Sequence, residues 1–381
     1  MIAVIADDLT GAAELAGIGM TYGLRVELAM TANPASTADL LVVSTDARSV
    51  AEPEAVAQMT AATQAIKALK PSLLYKKMDS VMRGHVLAEV FAQMEVTGRP
   101  NALLVSANPA LGRTLTDGIY YINGVPIAET HFAQDPEFPV WHAHVLTRLR
   151  ADRTKVFVRP TGSLLPERGI AIGEAASVSD LAVWAQAVGP EVFLGGAAGF
   201  FTALLEAHGL RKPAGPEPSY SPKTALFVCG TAFGKSVALV KEAADKGYVV
   251  SYMPVPLMRA GTYTEAGLKV WTSLVAANLL LQEPVIMAIR PNETETFDAL
   301  HLRQCMALAV AQVLDKAPVP ELIIEGGSTA SAILRQLGIQ RLAPVQELGP
   351  GVIRMQAIER PALHITMKPG SYAWPETLWT F

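Results

Sequence analysis

Three short segments of this chain concentrate side chains able to hold and activate a hydroxyl group. The first is Ala6-Asp7-Asp8-Leu9-Thr10-Gly11-Ala12-Ala13, which directly follows the apolar run Ile2–Ala6. Adjacent carboxylates at the end of a strand, before a helix that opens with small residues, lie where open α/β sheets bind ligands, outside the carboxyl ends of their strands. In a cleft such a pair repels itself. That repulsion raises one pKa toward the range of a general base, or the pair gathers a cation arriving with a nucleotide. Thr10 can cap the helix, and Gly11 lets a ligand approach its free N–H groups. The same spacing also fits one aspartate as a cap and the other in solvent.

The second segment, Ser44-Thr45-Asp46-Ala47-Arg48, and the third, Tyr75-Lys76-Lys77-Met78-Asp79-Ser80, again place polar groups after apolar runs. Arg48 offers a planar fork for a carboxylate, Asp79 and Ser80 can bond hydroxyls, and strand alternation sends one of Lys76 and Lys77 toward the cleft. A lone Lys-Lys pair also fits a solvated strand end. Recurrence of polar groups at the ends of successive strands suits a small polyhydroxy acid.

The second half of the chain carries glycine turns. Ala225–Cys229 runs into Gly230-Thr231-Ala232-Phe233-Gly234-Lys235-Ser236, a near P-loop in which Cys229 stands where the first glycine belongs. Glu325-Gly326-Gly327-Ser328-Thr329-Ala330 delivers paired glycines to a helical pattern of Ile333, Leu334 and Leu337 that Gly338 stops. Both turns can cradle a phosphate at a helix N-terminus. A plain strand-to-helix turn is the alternative at the first.

The elements that position these segments follow from periodicity. Short apolar runs at 2–6, 40–43, 73–75, 103–105, 156–158 and 192–194 alternate with helical patterns, such as Leu87, Val90, Phe91 and Met94 after Arg83. That alternation predicts parallel strands covered by crossover helices on both faces. From Gly209 to Lys223 four prolines stop either periodicity, and the alternation restarts with strands at 225–229, 249–253, 285–289 and 322–324. The fold class is therefore α/β, with two domains, mostly parallel sheets and a ligand cleft between them.

Composition narrows the function. Of 381 residues 50% are hydrophobic and 17% charged, which supplies a core for two domains and excludes disorder and coiled coil. With 35 acidic against 31 basic residues, a net charge of −4 and no basic run, nucleic acid is excluded as a partner. Cys229 and Cys305 are too few for a disulfide framework and lack zinc spacing, so a cytoplasmic location is expected. The N-terminus has no basic n-region, and the apolar stretch 273–289 is broken by Asn278, Gln282, Glu283 and Pro284, so neither a signal peptide nor a membrane span is expected. Gly17-Ile18-Gly19 has Tyr22 in place of the third glycine of a dinucleotide fingerprint, and no Gly-x-Ser-x-Gly elbow is present. His142 and His144 lack a third ligand nearby, so no structural metal is expected.

Ile5-Ala6-Asp7-Asp8-Leu9-Thr10-Gly11-Ala12, Lys76-Lys77-Met78-Asp79-Ser80-Val81-Met82-Arg83-Gly84, Asn108-Pro109-Ala110-Leu111-Gly112-Arg113-Thr114 and Tyr121-Ile122-Asn123-Gly124-Val125-Pro126 resemble successive signatures of the four-carbon acid sugar kinases. That family phosphorylates tetronates such as threonate, erythronate and 3-oxo-tetronate from ATP, typically at the terminal hydroxyl. The resemblance implies an acid-sugar domain over 1–210, a linker over 211–223 and a nucleotide domain over 224–381. It places Asp7 and Asp8 in catalysis, with Asp8, Arg48, Lys77, Met78, Asp79 and Ser80 against the substrate. Gly230, Thr231, Gly326, Gly327, Ser328, Thr329 and Gly370 would meet ATP, with Mg²⁺ as its companion ion. The segment Glu129-Thr130-His131-Phe132-Ala133-Gln134-Asp135-Pro136 continues the family pattern and reads as architectural.

The chain departs from the family where Ser328 replaces an acidic residue, where Thr231 and Phe233 replace serines, and across Lys368-Pro369-Gly370-Ser371-Tyr372-Ala373. These departures leave open a second reading, a non-catalytic acid-sugar-binding relative. The expected partners are a small acid sugar and ATP, and a homodimer is left open.

Overall fold

Most of the apolar runs become inner strands buried on both faces, as parallel strands require, while the runs at 156–158 and 249–253 become half-buried edge strands. The computed structural model describes residues 1–135, 138–213, 220, 224–230, 234–281, 283–290, 297–370 and 372–381. The expected linker, 211–223, lies largely outside them, as do Thr231, Phe233 and Ser371. The chain divides into two compact units, Met1–Ala214 and Gly215–Phe381. Among the described residues no helix is long and apolar enough to cross a membrane.

In the first unit the strands are β1 (Ile2–Ala6), β2 (Val26–Ala29), β3 (Leu40–Ser44), β4 (Leu73–Lys77), β5 (Asn101–Val105), β6 (Arg113–Thr116), β7 (Ile119–Ile122), β8 (Val125–Pro126), β9 (Val156–Arg159), β10 (Gly169–Gly173) and β11 (Phe193–Gly196). The main sheet runs β2-β3-β1-β4-β11-β5-β10-β9 with every neighbouring pair parallel, while β6, β7 and β8 form a small antiparallel sheet. The helices are α1 (Leu9–Thr21), α2 (Glu52–Ala68), α3 (Val86–Thr97), α4 (Val145–Arg148), α5 (Val178–Ala187) and α6 (Ala198–Ala207). Ala3, Ile5, Leu41, Val43 and Leu74 on one sheet face pack with Met59 and Ile66 of α2 and Val90 and Met94 of α3. Full burial of each of these side chains larger than alanine contributes about 1.5–3 kcal/mol, so this layer holds the carboxyl ends of β1 and β4 in place. Gly19 of the rejected dinucleotide match sits inside α1 with Leu40 where a Cβ would stand; it lets helix and sheet approach.

The second unit contains β12 (Leu226–Cys229), β13 (Val249–Tyr252), β14 (Val285–Ala288), β15 (Glu321–Glu325), β16 (Arg341–Gly349), β17 (Val352–Ala357) and β18 (His364–Lys368), with α7 (Gly234–Asp245), α8 (Val255–Met258), α9 (Glu265–Leu280), α10 (Ala299–Lys316) and α11 (Gly327–Leu337). Its strand order is β13-β14-β12-β15-β18-β17-β16, parallel except at β16–β17 and β17–β18. Both units thus begin with the same arrangement, in which the first strand lies between the third and the fourth. That reversal of direction creates a crevice at the carboxyl ends of β1 and β4 in one unit and of β12 and β15 in the other. No sequence repeat signals it, because apolar strands of unrelated sequence satisfy the same topology.

Candidate functional site

In the first unit the crevice is formed by charged side chains held against one another. Asp8 caps α1, its Oδ1 accepting from the Gly11 N–H at 3.2 Å, while Oδ2 accepts from the Thr10 hydroxyl. Asp7 faces the other side of the strand and is clamped by Arg48, whose Nε and Nη2 donate to its two oxygens at 3.0 and 2.9 Å. Nη2 of Arg48 also donates to Asp8 at 2.6 Å. The guanidinium fork expected to meet a substrate carboxylate is therefore occupied by Asp7, since the two adjacent carboxylates need a shared cation.

The expected repulsion between the aspartates does not raise the pKa of Asp8. Burial pushes the Asp8 carboxyl up, but Arg48, Lys77 and the Thr10 hydroxyl together hold it below its ordinary value. Asp79 is likewise pushed up by burial and pulled far below the usual carboxylate range by Arg83 and Arg48. Arg83 holds Asp79 through Nε and Nη2, each at 2.9 Å, and reaches Asp135 through Nη1 at 2.9 Å.

These depressed values have a consequence for acid stability. A carboxylate with a lowered folded pKa contributes stability that is fully present above its unfolded value and is lost as pH falls through the folded one. Urea midpoints are expected to stay level from about pH 7 to about pH 5 and to fall below about pH 4. A decline already at pH 6 would show that these groups are not held ionised.

Lys76 and Lys77 take opposite faces of β4, and both are buried, so the solvated-end alternative does not hold. Lys76 meets Glu89 of α3 at 2.5 Å. Burial and the charge of Asp7 push Glu89 upward, against the pull of Lys76. Lys77 points to the α1 side, 3.5 Å from Glu14 and 3.1 Å from the Met78 carbonyl. A Cβ at Gly11 would stand 2.6 Å from Asp8 Oδ1 and 2.9 Å from Lys77 Nζ, so glycine is needed for this approach. Met78 is a core residue, fully buried in the α2–α3 layer, with its N–H bonded to Gly196 at 3.1 Å. Ser80 is tied down through its hydroxyl by Arg113 and through its carbonyl by Tyr120 at 2.7 Å.

Asp7, Asp8, Arg48, Lys77 and Asp79 are thus brought together, joined by residues the sequence did not single out: Arg83, Arg113 and Asp135. Asp135 belongs to the segment read as architectural. It joins the network because Arg83 offers a third nitrogen after satisfying Asp79. The signal was present as opposite charges 52 residues apart, but only the fold makes them neighbours.

In the second unit Gly230 follows β12, Gly326 and Gly327 follow β15, and Gly370 follows β18. Gly326 has φ +97°, a conformation that glycine adopts without strain. Thr329 packs its hydroxyl where a Cβ at Gly230 would sit, which presses the first two turns together. α11 opens at Gly327 with no side-chain cap, leaving the early N–H groups around Ser328 for a ligand. Thr231 lies outside the described residues, and Lys235 is exposed on α7.

Beneath these turns Lys368 donates to Glu325 at 2.7 Å, to the Pro369 carbonyl at 3.0 Å and to the Tyr372 carbonyl at 2.7 Å. The Ser236 hydroxyl joins the same Glu325 oxygen. Burial and then Glu325 push the Cys229 thiol well up, so it is no nucleophile. Beside α7 a cavity of about 340 Å³ is lined by Ser236, Tyr252 and Arg290, with the Arg290 guanidinium 4.3 Å from the Tyr252 ring centre.

Residues 2–204 match the family model of a sugar-binding N-terminal domain, and residues 226–375 that of a nucleotide-binding C-terminal domain. The chain is 34% identical over 221 residues to a D-threonate kinase of Salmonella typhimurium, an alignment covering 53% of this chain and 52% of that relative. It is 25% identical over 377 residues to a D-threonate kinase of Bordetella bronchiseptica, covering 92% and 88%. A crystal structure of a Salmonella typhimurium protein superposes with a TM-score of 0.81 at 20% identity, covering 99% of this chain and 97% of that one, a likeness of fold. The sugar-binding and nucleotide-binding domains, in this order and over nearly the whole length, show that the chain belongs to the four-carbon acid sugar kinases, a family of carbohydrate kinases.

Proposed function

We propose that this chain transfers the γ-phosphoryl group of ATP to the terminal hydroxyl of a four-carbon acid sugar. The observation that carries the reading is the unequal treatment of the two aspartates at the β1 end. Asp7 is spent on Arg48 and its side chain is 2% exposed, whereas Asp8 is 13% exposed and keeps its carboxylate at the mouth of the crevice. Asp8, held ionised, orients the substrate hydroxyl and accepts its proton as the oxygen–phosphorus bond forms and the bond to ADP breaks. Lys77 supplies positive charge beside it, and Arg48 and Asp79 hold both in position.

In the nucleotide-binding domain the N–H groups at the start of α11 and the turns at Gly230, Gly326 and Gly370 suit the phosphates of ATP. Magnesium fits less directly. Glu325, the carboxylate that the described residues bring to these turns, is buried and neutralised by Lys368, so they build no protein cage for the ion. The ion enters this reading only as the companion of the nucleotide phosphates.

Calorimetric titration of ATP with magnesium, with and without threonate, erythronate and 3-oxo-tetronate, tests the reading. Nucleotide affinity on the order of micromolar, tightened by one of the acids together with turnover of that acid, is the expected result. Acid binding with no nucleotide signal would replace the kinase with a binding protein.

A further inference from the structure

Helix α9 of the second unit is apolar on two opposite sides. Leu268, Trp271, Val275, Ala276 and Leu279 are buried on the side that packs on β14 and α10. On the other side Val270, Leu274, Leu280 and Leu281 are 59–72% exposed, with exposed Ala277 between them. From Val270 to Leu281 no residue is charged. The polar side chains of this stretch turn back on the helix, Ser273 donating to the Lys269 carbonyl at 2.7 Å and Asn278 to the Leu274 carbonyl at 2.8 Å, so the outer surface is left to the apolar groups. The contrast is α7, whose exposed side carries Lys235, Lys241, Glu242 and Asp245. A helix that is apolar all round belongs in an interior, yet nothing among the described residues covers the outer face of α9.

The size of the face fits a specific contact. Its exposed valine, leucines and alanine present on the order of 450 Å² of apolar surface, in the upper part of what monomeric proteins leave uncovered. Doubled by a second copy and completed by the polar and backbone atoms between, it comes to about 1,000–1,200 Å², where specific interfaces begin.

We infer that the outer face of α9 is the contact surface of a homodimer, in which α9 packs antiparallel on α9 of a second copy. Val270, Leu274, Ala277 and Leu281 follow one another at spacings of four, three and four, the seam of a helix pair. With the two-fold axis at the middle of that seam, Val270 meets Leu281 of the copy and Leu274 meets Ala277 of the copy, each contact occurring twice. Large side chains then face small ones, as close packing requires. A parallel pair would set Ala277 against its own image, leave a void there and align the two helix dipoles. A second copy also brings no like charge to an uncharged seam. A membrane surface is a poorer match, because a helix lying on lipid has a polar face rich in basic residues and α9 carries Lys269 alone. The homodimer that the sequence leaves open thereby gains a surface, independently of the acid-sugar reading.

Sedimentation of the full chain at about 10 µM tests the inference. The parent is expected at about 81 kDa, twice the 40.5 kDa of one chain. Leu274→Glu places a carboxylate at the centre of the seam and should weaken association by about 100-fold or more, giving the single-chain mass, while nucleotide affinity stays that of the parent. Should Leu274→Glu fail to fold, cysteine cross-linking still decides. Val270→Cys combined with Leu281→Cys should form a covalent dimer under mild oxidation, because the two positions lie about 16 Å apart within one helix and adjacent across the antiparallel pair. Either cysteine alone should not. Cross-linking of Val270→Cys alone would overturn the antiparallel arrangement. A parent that sediments as a single chain overturns the inference, also where it binds lipid vesicles or another protein through this face, and so does a Leu274→Glu variant that remains dimeric.

Discussion

Asp8→Asn is expected to lower turnover by about 10²–10⁴-fold, the range that a positioned proton acceptor supplies, with the folded state preserved. The amide keeps an oxygen where the carboxylate now accepts from Arg48 and from the Gly11 N–H, and asparagine is as good a helix cap as aspartate. What it loses is the negative charge and the free lone pair that hold the attacking hydroxyl. Steady-state kinetics with a tetronate, alongside urea unfolding, separates the effects. Loss of turnover with the cooperative unfolding transition retained, its urea midpoint lowered only by the loss of the Asp8 charge beside Arg48, is the expected result. Unchanged turnover would remove Asp8 from the reaction and shift attention to Lys77 and electrostatics alone.

The second large effect is expected in the nucleotide-binding domain. Lys368→Met should cost about 3–5 kcal/mol of stability, because it strands the buried Glu325 carboxylate with no cation beside it, only the Ser236 hydroxyl and the Cys229 thiol among the described residues. The same substitution releases the carbonyls of Pro369 and Tyr372, which Lys368 gathers around the Gly370 turn, and ATP affinity should fall with it. A paired change distinguishes the two consequences. Lys368→Met with Glu325→Leu removes both charges, so most of the stability should return, as it does when buried ion pairs are replaced by apolar groups. ATP binding should stay weak, since the turn remains untied. Denaturant unfolding and calorimetry on both variants check this, and full recovery of ATP affinity in the double variant would show that the ion pair serves stability alone.

Glu325 also bears on the departures at the nucleotide side. Ser328 replaces a carboxylate that the family usually carries, yet the start of α11 keeps its uncapped N–H groups and Gly326 keeps the backbone conformation that exposes them. Phosphate recognition by backbone donors survives a change of side chain. On the proposed reading, the described residues thus keep the backbone donors, which do not depend on residue type.

The amino-acid sequence determined the strands of both sheets that are buried on two faces, because continuous β-branched runs between helical patterns have few other places to go. It also placed Asp7, Asp8, Arg48, Lys77 and Asp79 at strand ends, since the turn after each strand is local. It did not disclose β2, whose Glu27 interrupts a short half-exposed run, nor β10, bounded by Gly169 and Gly173. Nor did it show that β16 and β17 pair antiparallel around Gly351, where alternating exposure mimics a loop.

Only the tertiary structure decided which charge meets which. Arg48 chooses Asp7 across 41 residues, Arg83 chooses Asp135 across 52, and Arg148 is left without an acceptor. Spacing along a chain carries local geometry, whereas pairing between buried charges depends on which side chains the packed sheet and helices bring within about 3 Å and remove from water.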